Sequence, residues 1–241
     1  MKWILLTTET IHHVKFLIEI NKIFPVSAVV LEQKSNLPQF DTSHPMDKVR
    51  DEYESQQFFG GSVPLCQSIA PTFSFPNVND PEVRALISDI SPDLILVFGT
   101  GKIGRDLISI SPQNILNLHG GDPEEYRGLD SHLWTIYHGD FTRLITTIHH
   151  VSYGLDTGDI ILKGKISLFK GMQLHELRKA NTEVCIKITL SALDMYARQK
   201  TFISSPQAKK GRYYSFMPSE LKELCRKKFL AYTQGLADGT H

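Results

Sequence analysis

Charge of one sign is what this chain most plainly lacks. Lys and Arg total 26, Asp and Glu total 26, and the formal net charge is zero over 241 residues. A protein that grips phosphate backbones draws affinity from a basic surplus, so nucleic acid is not an expected partner. Cysteine is scarce as well. Cys66, Cys185 and Cys225 are odd in number and far apart, which suits neither a disulfide framework nor a close metal spacing. A reducing compartment and no bound metal are expected. No run reaches the ~18 apolar residues of a membrane span, and the short apolar start at Trp3–Leu6 soon meets Glu9, His12 and His13. Neither a signal peptide nor a membrane anchor is expected, and the chain reads as cytoplasmic. What it does have is an ordinary hydrophobic fraction, 41%, enough for a real core.

Apolar runs alternate with helical spacings. Trp3–Thr7 reads as a buried strand, and Val14, Phe16, Leu17, Ile20 and Ile23 give a helix over Ile11–Phe24, stopped by Pro25. Val26–Leu31 follows as a second strand, completing one right-handed crossover of a parallel sheet. Glu32–Pro45 is polar and reads as a loop, Met46–Phe59 as a charged, exposed helix. Asp80 and Pro81 have the chemistry of an N-cap and first turn for a helix over Pro81–Ile90. Asp93–Phe98 is the most hydrophobic strand and is expected at the centre of the sheet. Ile115–Leu118, Leu144–Val151 and Ile160–Ile166 read as later strands and Leu174–Tyr196 as a long helix. The expected fold is an open, mostly parallel, Rossmann-like α/β sheet flanked by helices. Residues 1–200 form the main domain and residues 201–241, with a helix near Pro218–Tyr232, a small appendage.

Three motifs carry chemistry. Gly99-Thr100-Gly101-Lys102-Ile103-Gly104 follows the central strand and fits a dinucleotide loop, whose backbone amides cradle a pyrophosphate. Against that reading, the loop sits mid-chain, and the first turn, Thr7–Thr10, has no glycine. Asn117-Leu118-His119-Gly120-Gly121 ends a short strand; residues two apart on a strand point the same way, so Asn117 and His119 can reach one point in a crevice. Gly154-Leu155-Asp156-Thr157-Gly158-Asp159 joins two strands, and Tyr126-Arg127-Gly128-Leu129 lies between these motifs, ahead of a helix capped by Asp130 or Ser131. Trp134 on that helix reads as core, and neither member of the His149-His150 pair is singled out.

Asn-x-His, then Tyr-Arg-Gly, then Leu-Asp-x-Gly resembles the N10-formyltetrahydrofolate-dependent formyltransferases over Asp93–Ile161. The resemblance implies Asn117, His119 and Asp156 as catalytic residues. It implies a folate pocket lined by Gly99, Thr100, Gly101, Lys102, Ile103 and Gly104 and by the turn ending at Asp156, with 10-formyltetrahydrofolate as co-substrate. The run from Asn117 to Trp134, with Gly-Gly after the histidine, and the tail Gly211–Pro218 are similar to the sugar N-formyltransferases. That branch implies a nucleotide-linked amino sugar as acceptor, commonly a dTDP-4-amino-4,6-dideoxyhexose destined for surface polysaccharide such as O-antigen, and a homodimer. Methionyl-tRNA formyltransferase carries a further C-terminal domain, and glycinamide ribonucleotide transformylase a glycine-rich loop after its first strand; neither fits this sequence. Acceptor contacts are expected from Gly120, Gly121, Tyr126, Arg127 and Tyr214, with the Lys209–Arg212 run as a further candidate for the diphosphate. The alternatives are another small amine as acceptor, or an NAD(P)-dependent oxidoreductase using Gly99–Gly104.

The residue types suit acyl transfer between nitrogens. Negative charge on the formyl oxygen needs a fixed donor, which the Asn117 amide provides. An imidazole such as His119 suits a proton that leaves one nitrogen and joins another. Asp156 could orient that ring, stabilise its charged form, or position a water.

Overall fold

A computed structural model describes residues 1–33 and 38–237. Of the loop expected over Glu32–Pro45, residues 34–37 lie outside the described residues. In chain order the strands are β1 (Trp3–Thr7), β2 (Ala28–Glu32), β3 (Thr72–Phe75), β4 (Leu94–Phe98), β5 (Ile115–His119), β6 (Tyr126–Gly128), β7 (Ile145–His150), β8 (Ile160–Lys165) and β9 (Arg212–Tyr214). The helices are α1 (Ile11–Asn21), α2 (Pro45–Phe59), α3 (Pro81–Ile90), α4 (Arg105–Ile108), α5 (Ser131–Tyr137), α6 (Leu177–Gln199) and α7 (Ser219–Gln234).

Seven strands form one sheet in the order β3–β2–β1–β4–β5–β7–β8. β3 to β5 run parallel to one another, while β7 is antiparallel to both β5 and β8. The Leu-Ile-Leu-Val-Phe run of β4 is the middle strand, as its composition requires: only a strand covered on both faces is apolar at every position. Alternate residues feed two cores. Trp3, Leu5, Leu94, Leu96 and Phe98 face α1 and α6, whereas Ile4, Leu6, Ile95 and Val97 face α3 and α4.

Local differences from the sequence reading have local causes. α1 ends at Asn21 because the Ile23 and Phe24 N–H groups both turn back to the Ile20 carbonyl, a tight finish ahead of Pro25. Asp80 stands at the N-cap of α3, yet its carboxylate accepts from the Asn77 N–H outside the helix. Asp130 precedes α5 in the left-handed region, with φ 49°, and its carboxylate accepts from Met217 N at 2.8 Å. The appendage therefore reaches into the body. β9 pairs in parallel with β6, and Met217, Cys225 and Phe229 pack with Ile136, Leu144 and Leu174.

α2 is charged, but it is not merely exposed. Glu54 is fully buried and takes a bidentate pair from Arg178 of α6, Nε to Oε1 at 2.7 Å and Nη2 to Oε2 at 2.6 Å. Among the described residues no helix is long and apolar enough to cross a membrane. Removing one member of a buried pair leaves the other charge without compensation, so Glu54→Ala should cost about 3 kcal/mol, the low end of that class. Urea denaturation checks this, with Glu52→Ala, an exposed neighbour on the same helix, as the near-neutral control.

Candidate active site

The strand order reverses between β1 and β4, so the connections leaving their carboxyl ends go to opposite faces. That divergence opens a crevice, the usual ligand position in an open α/β sheet. A cleft of about 1220 Å³ occupies it, bordered by Thr8–Thr10 after β1, Gly99–Ile103 after β4, Asn117–Gly120 at the end of β5, and Ser152, Gly154, Leu155 and Asp156 between β7 and β8. Single-ligand sites typically enclose ~300–1,000 Å³, so this one has room for two molecules. Its lining takes in the glycine loop and the Asp156 turn as well as His12 of α1, Arg50 of α2 and Arg178 of α6.

Asn117, His119 and Asp156 meet on this lining. The Asn117 amide nitrogen lies 3.3 Å from Asp156 Oδ1, and His119 Nδ1 lies 3.7 Å from Asp156 Oδ2. His119 Nε2 donates to the Tyr126 carbonyl at 2.9 Å. Since a carbonyl only accepts, Nε2 carries the proton of the neutral ring and Nδ1 presents its lone pair toward the carboxylate. Asp156 itself adopts φ 52°, a left-handed conformation that Asp tolerates better than most residues, and its Oδ2 accepts from Gly128 N at 2.8 Å. Burial pushes the Asp156 carboxyl up. The charge of His119 when its ring is protonated, the hydrogen bond and charge of protonated His149, and the Gly128 N–H together outweigh that and hold it well below the usual carboxylate range.

The surroundings fix this geometry. Gly121 passes directly behind the imidazole: a Cβ there would sit 2.7 Å from both His119 Nε2 and Ser131 Cβ. Asp122, fully buried, anchors the same loop through Lys163 at 2.7 Å and Arg143 at 2.8 Å. Arg127 clamps the tail to the Asp156 turn, its Nε donating to the Gly211 carbonyl at 2.6 Å and its Nη1 to the Leu155 carbonyl at 2.9 Å.

The glycine loop lacks the form of a pyrophosphate cradle. Gly99, with φ 81°, turns the chain so closely over His13 that a Cβ would collide with that ring. Gly101 N donates to Glu32 Oε2 at 2.6 Å and Gly104 N to Asn79 Oδ1 at 2.6 Å. Two of its amides are thus committed, one to a carboxylate that would repel a phosphate, and the helix that follows, α4, has only four residues. Burial and the charge of Arg178 push His13 down to about 3, so it stays neutral at ordinary pH.

Several sequence-predicted positions lie elsewhere than expected. Gly99, Thr100, Gly101, Lys102, Ile103 and Gly120 border the cleft, whereas Gly104 and Gly121 sit behind its wall. Tyr126, Arg127 and Tyr214 also lie off the lining. Tyr214 stacks between Tyr126 and Trp134 and bonds His138 through its hydroxyl, because β9 alternates and turns Tyr213 to the cleft instead. Lys209 pairs with Glu125 at 2.6 Å. His149, set aside with His150 on sequence grounds, is buried at the centre, 3.2 Å from the Asn117 amide nitrogen and 3.6 Å from Asp156 Oδ1. Its signal was the strand period: one of two adjacent histidines had to face inward.

The pattern described as Formyl transferase matches residues 32–193. The chain belongs to the formyl transferase family. A methionyl-tRNA formyltransferase from Ruminiclostridium cellulolyticum is 30% identical over 131 residues, 54% of this chain and 41% of that protein. The chain spans less than half the length of the curated relatives it matches. A 4-N formyltransferase from Francisella tularensis shares the fold with a TM-score of 0.60 at 15% identity, over 89% of this chain and 76% of that one. The formyltransferase PseJ from Anoxybacillus kamchatkensis, solved with UDP-4,6-dideoxy-4-formamido-L-AltNAc and tetrahydrofolate, does so with a TM-score of 0.52 at 22% identity, over 89% and 93%.

The Asp156 carboxyl has a lower pKa folded than unfolded, so it adds stability above about pH 4 that is lost as the pH falls through the folded value. In urea denaturation wild type should therefore exceed Asp156→Asn most near pH 6, with the gap narrowing toward about pH 2. A gap of constant size across that range would refute this assignment.

Proposed function

We propose that this chain is a 10-formyltetrahydrofolate-dependent N-formyltransferase whose acceptor is the amine of a nucleotide-linked amino sugar, with a dTDP-4-amino-4,6-dideoxyhexose the leading candidate. The observation that carries the reading is a cleft with room for two molecules and with Asn117, His119 and Asp156 close together on its lining. A donor and an acceptor sharing the cleft would meet at those three side chains.

The residues fit a folate on the glycine-loop side. Val97, Ile103, Val151 and Leu155 offer apolar contact, and Gly99–Lys102, Ser152 and Gly154 border the same space. When bound there, 10-formyltetrahydrofolate supplies an activated formyl group on a nitrogen that leaves readily. Everything else falls to the protein. Asn117 holds an amide N–H in the cleft for negative charge gathering on the formyl oxygen. His119, with Nε2 anchored on the Tyr126 carbonyl, takes a proton from the attacking amine at Nδ1. A proton at Nδ1 lands beside Asp156, 3.7 Å away, and can pass from there to the departing nitrogen. The buried setting keeps water from competing.

The part of the cleft past His12, Arg50 and Arg178 would take the sugar, and the tail adds Tyr213 and Phe216 to the lining. On that ground we assign residues 1–200 as the catalytic domain and residues 201–241 as an appendage for acceptor or dimer contact. A cytoplasmic homodimer belongs to the same reading. The matched methionyl-tRNA formyltransferases raise tRNA as a second acceptor, which the zero net charge speaks against.

Mass spectrometry after incubation with 10-formyltetrahydrofolate and a panel of dTDP- and UDP-linked amino sugars tests this, with charged initiator tRNA as a further arm. A gain of one formyl group on a sugar nucleotide is expected. Formylated tRNA alone would overturn the acceptor while keeping the donor. Asn117→Ala should lower kcat about 100- to 1,000-fold, the usual effect of losing one oxyanion donor.

A further inference from the structure

β7 sets His149 directly opposite Asn117 in the antiparallel register with β5. The ring is 2% exposed and takes no part in the steps above. Its Nδ1 lies 2.8 Å from the His150 carbonyl. That carbonyl can only accept, so Nδ1 carries the proton and Nε2 of the neutral ring carries the lone pair. The lone pair meets the Asn117 amide nitrogen at 3.2 Å. Asp156 Oδ1, 3.3 Å from the same nitrogen, is a second acceptor. Two acceptors on one side of a carboxamide permit a single orientation, with nitrogen toward His149 and Asp156 and oxygen away.

We propose that His149 is a positioning residue for formyl transfer. It anchors one N–H of Asn117, so that the other can move from Asp156 to the oxygen of the transferred group without the amide turning over. This rests on the role given to Asn117 above. The geometry supports the division of labour. Both bonds to the amide are longer than the common 2.9–3.0 Å, so exchanging one for a charged oxygen is favourable. Asp156 can give up its share, because its other oxygen keeps the 2.8 Å bond from Gly128 N. His149 cannot turn to follow, since its far nitrogen is fixed to the main chain. An apolar residue in its place would leave Asp156 as the sole holder of the amide, and the amide would come loose when its N–H is called to the substrate.

The test compares His149→Leu, which fills the space without an acceptor, with His149→Gln, whose side-chain oxygen can accept the Asn117 N–H. His150→Leu serves as a control on the neighbouring ring, which packs edge-on against Phe202. His149→Leu should lower kcat about 10- to 100-fold, the range found when a supporting hydrogen bond is removed from a site. KM for both substrates should stay within about twofold of wild type, and His149→Gln should recover most of the loss. NMR of the side-chain amides supplies an arm independent of turnover. The Asn117 signal, assigned by its absence in Asn117→Ala, should shift in His149→Leu, return in His149→Gln, and stay put in His150→Leu. If no acceptor is formylated at all, the proposed function fails while the amide signal still judges His149. An Asn117 signal unmoved in His149→Leu would overturn the proposal. So would a loss of kcat that His149→Gln does not recover.

Discussion

The candidate site depends on one carboxylate held in an unfavourable place. Asp156 is buried, lies at a left-handed backbone position, and sits in a turn that no regular element supports. Taking a carboxylate out of water costs several kcal/mol unless donors replace the solvent. Here two donors replace it, the Gly128 N–H of β6 and the Asn117 amide of β5, and the imidazoles of His119 and His149 lie 3.7 and 3.6 Å from its oxygens, where a proton on either ring adds compensating charge. The demand for compensation is what draws these strands and the turn to one point. Two of the groups that surround the carboxylate, Asn117 and His119, are the ones the proposed chemistry uses.

Behind that point the backbone of the turn is tied down by groups that never touch the cleft. Arg127 and Gln207 donate to the carbonyls of Leu155, Asp156 and Gly158, and Asp122 locks the loop that carries Gly121 past His119. Arg127 had the look of a phosphate ligand in the sequence, yet its work is to join turn to tail. A guanidinium suits such a task because its several donors lie in one rigid plane and can serve two carbonyls at once.

How much was legible depended on the range of the interaction. Local period sufficed for the sheet: the unbroken apolar run of β4 marked the centre, and the two-residue spacing of Asn117 and His119 put both on one face. It did not suffice where a partner far along the chain decides orientation. In β7 the alternation demanded that one of His149 and His150 face inward, and the register with β5, fixed only in three dimensions, chose His149. In β9 the pairing with β6 turned Tyr213 toward the cleft and Tyr214 into an aromatic stack. β3 escaped notice because a four-residue edge strand with an exposed Phe73 has neither the length nor the apolar run of a buried one. The family resemblance located the three central residues; the hydrogen-bonded shell around them needed coordinates.

The pairing of β6 with β9 also bears on the order in which the molecule matures. Every strand of the large sheet is complete by Lys165, and α6, which covers one face, by Gln199. The clamp on the Asp156 turn needs Gln207 and the Gly211 carbonyl, both of which leave the ribosome afterwards. The scaffold can therefore assemble while the carboxylate is still unpinned, and the turn is secured only once residues 207–211 have been made.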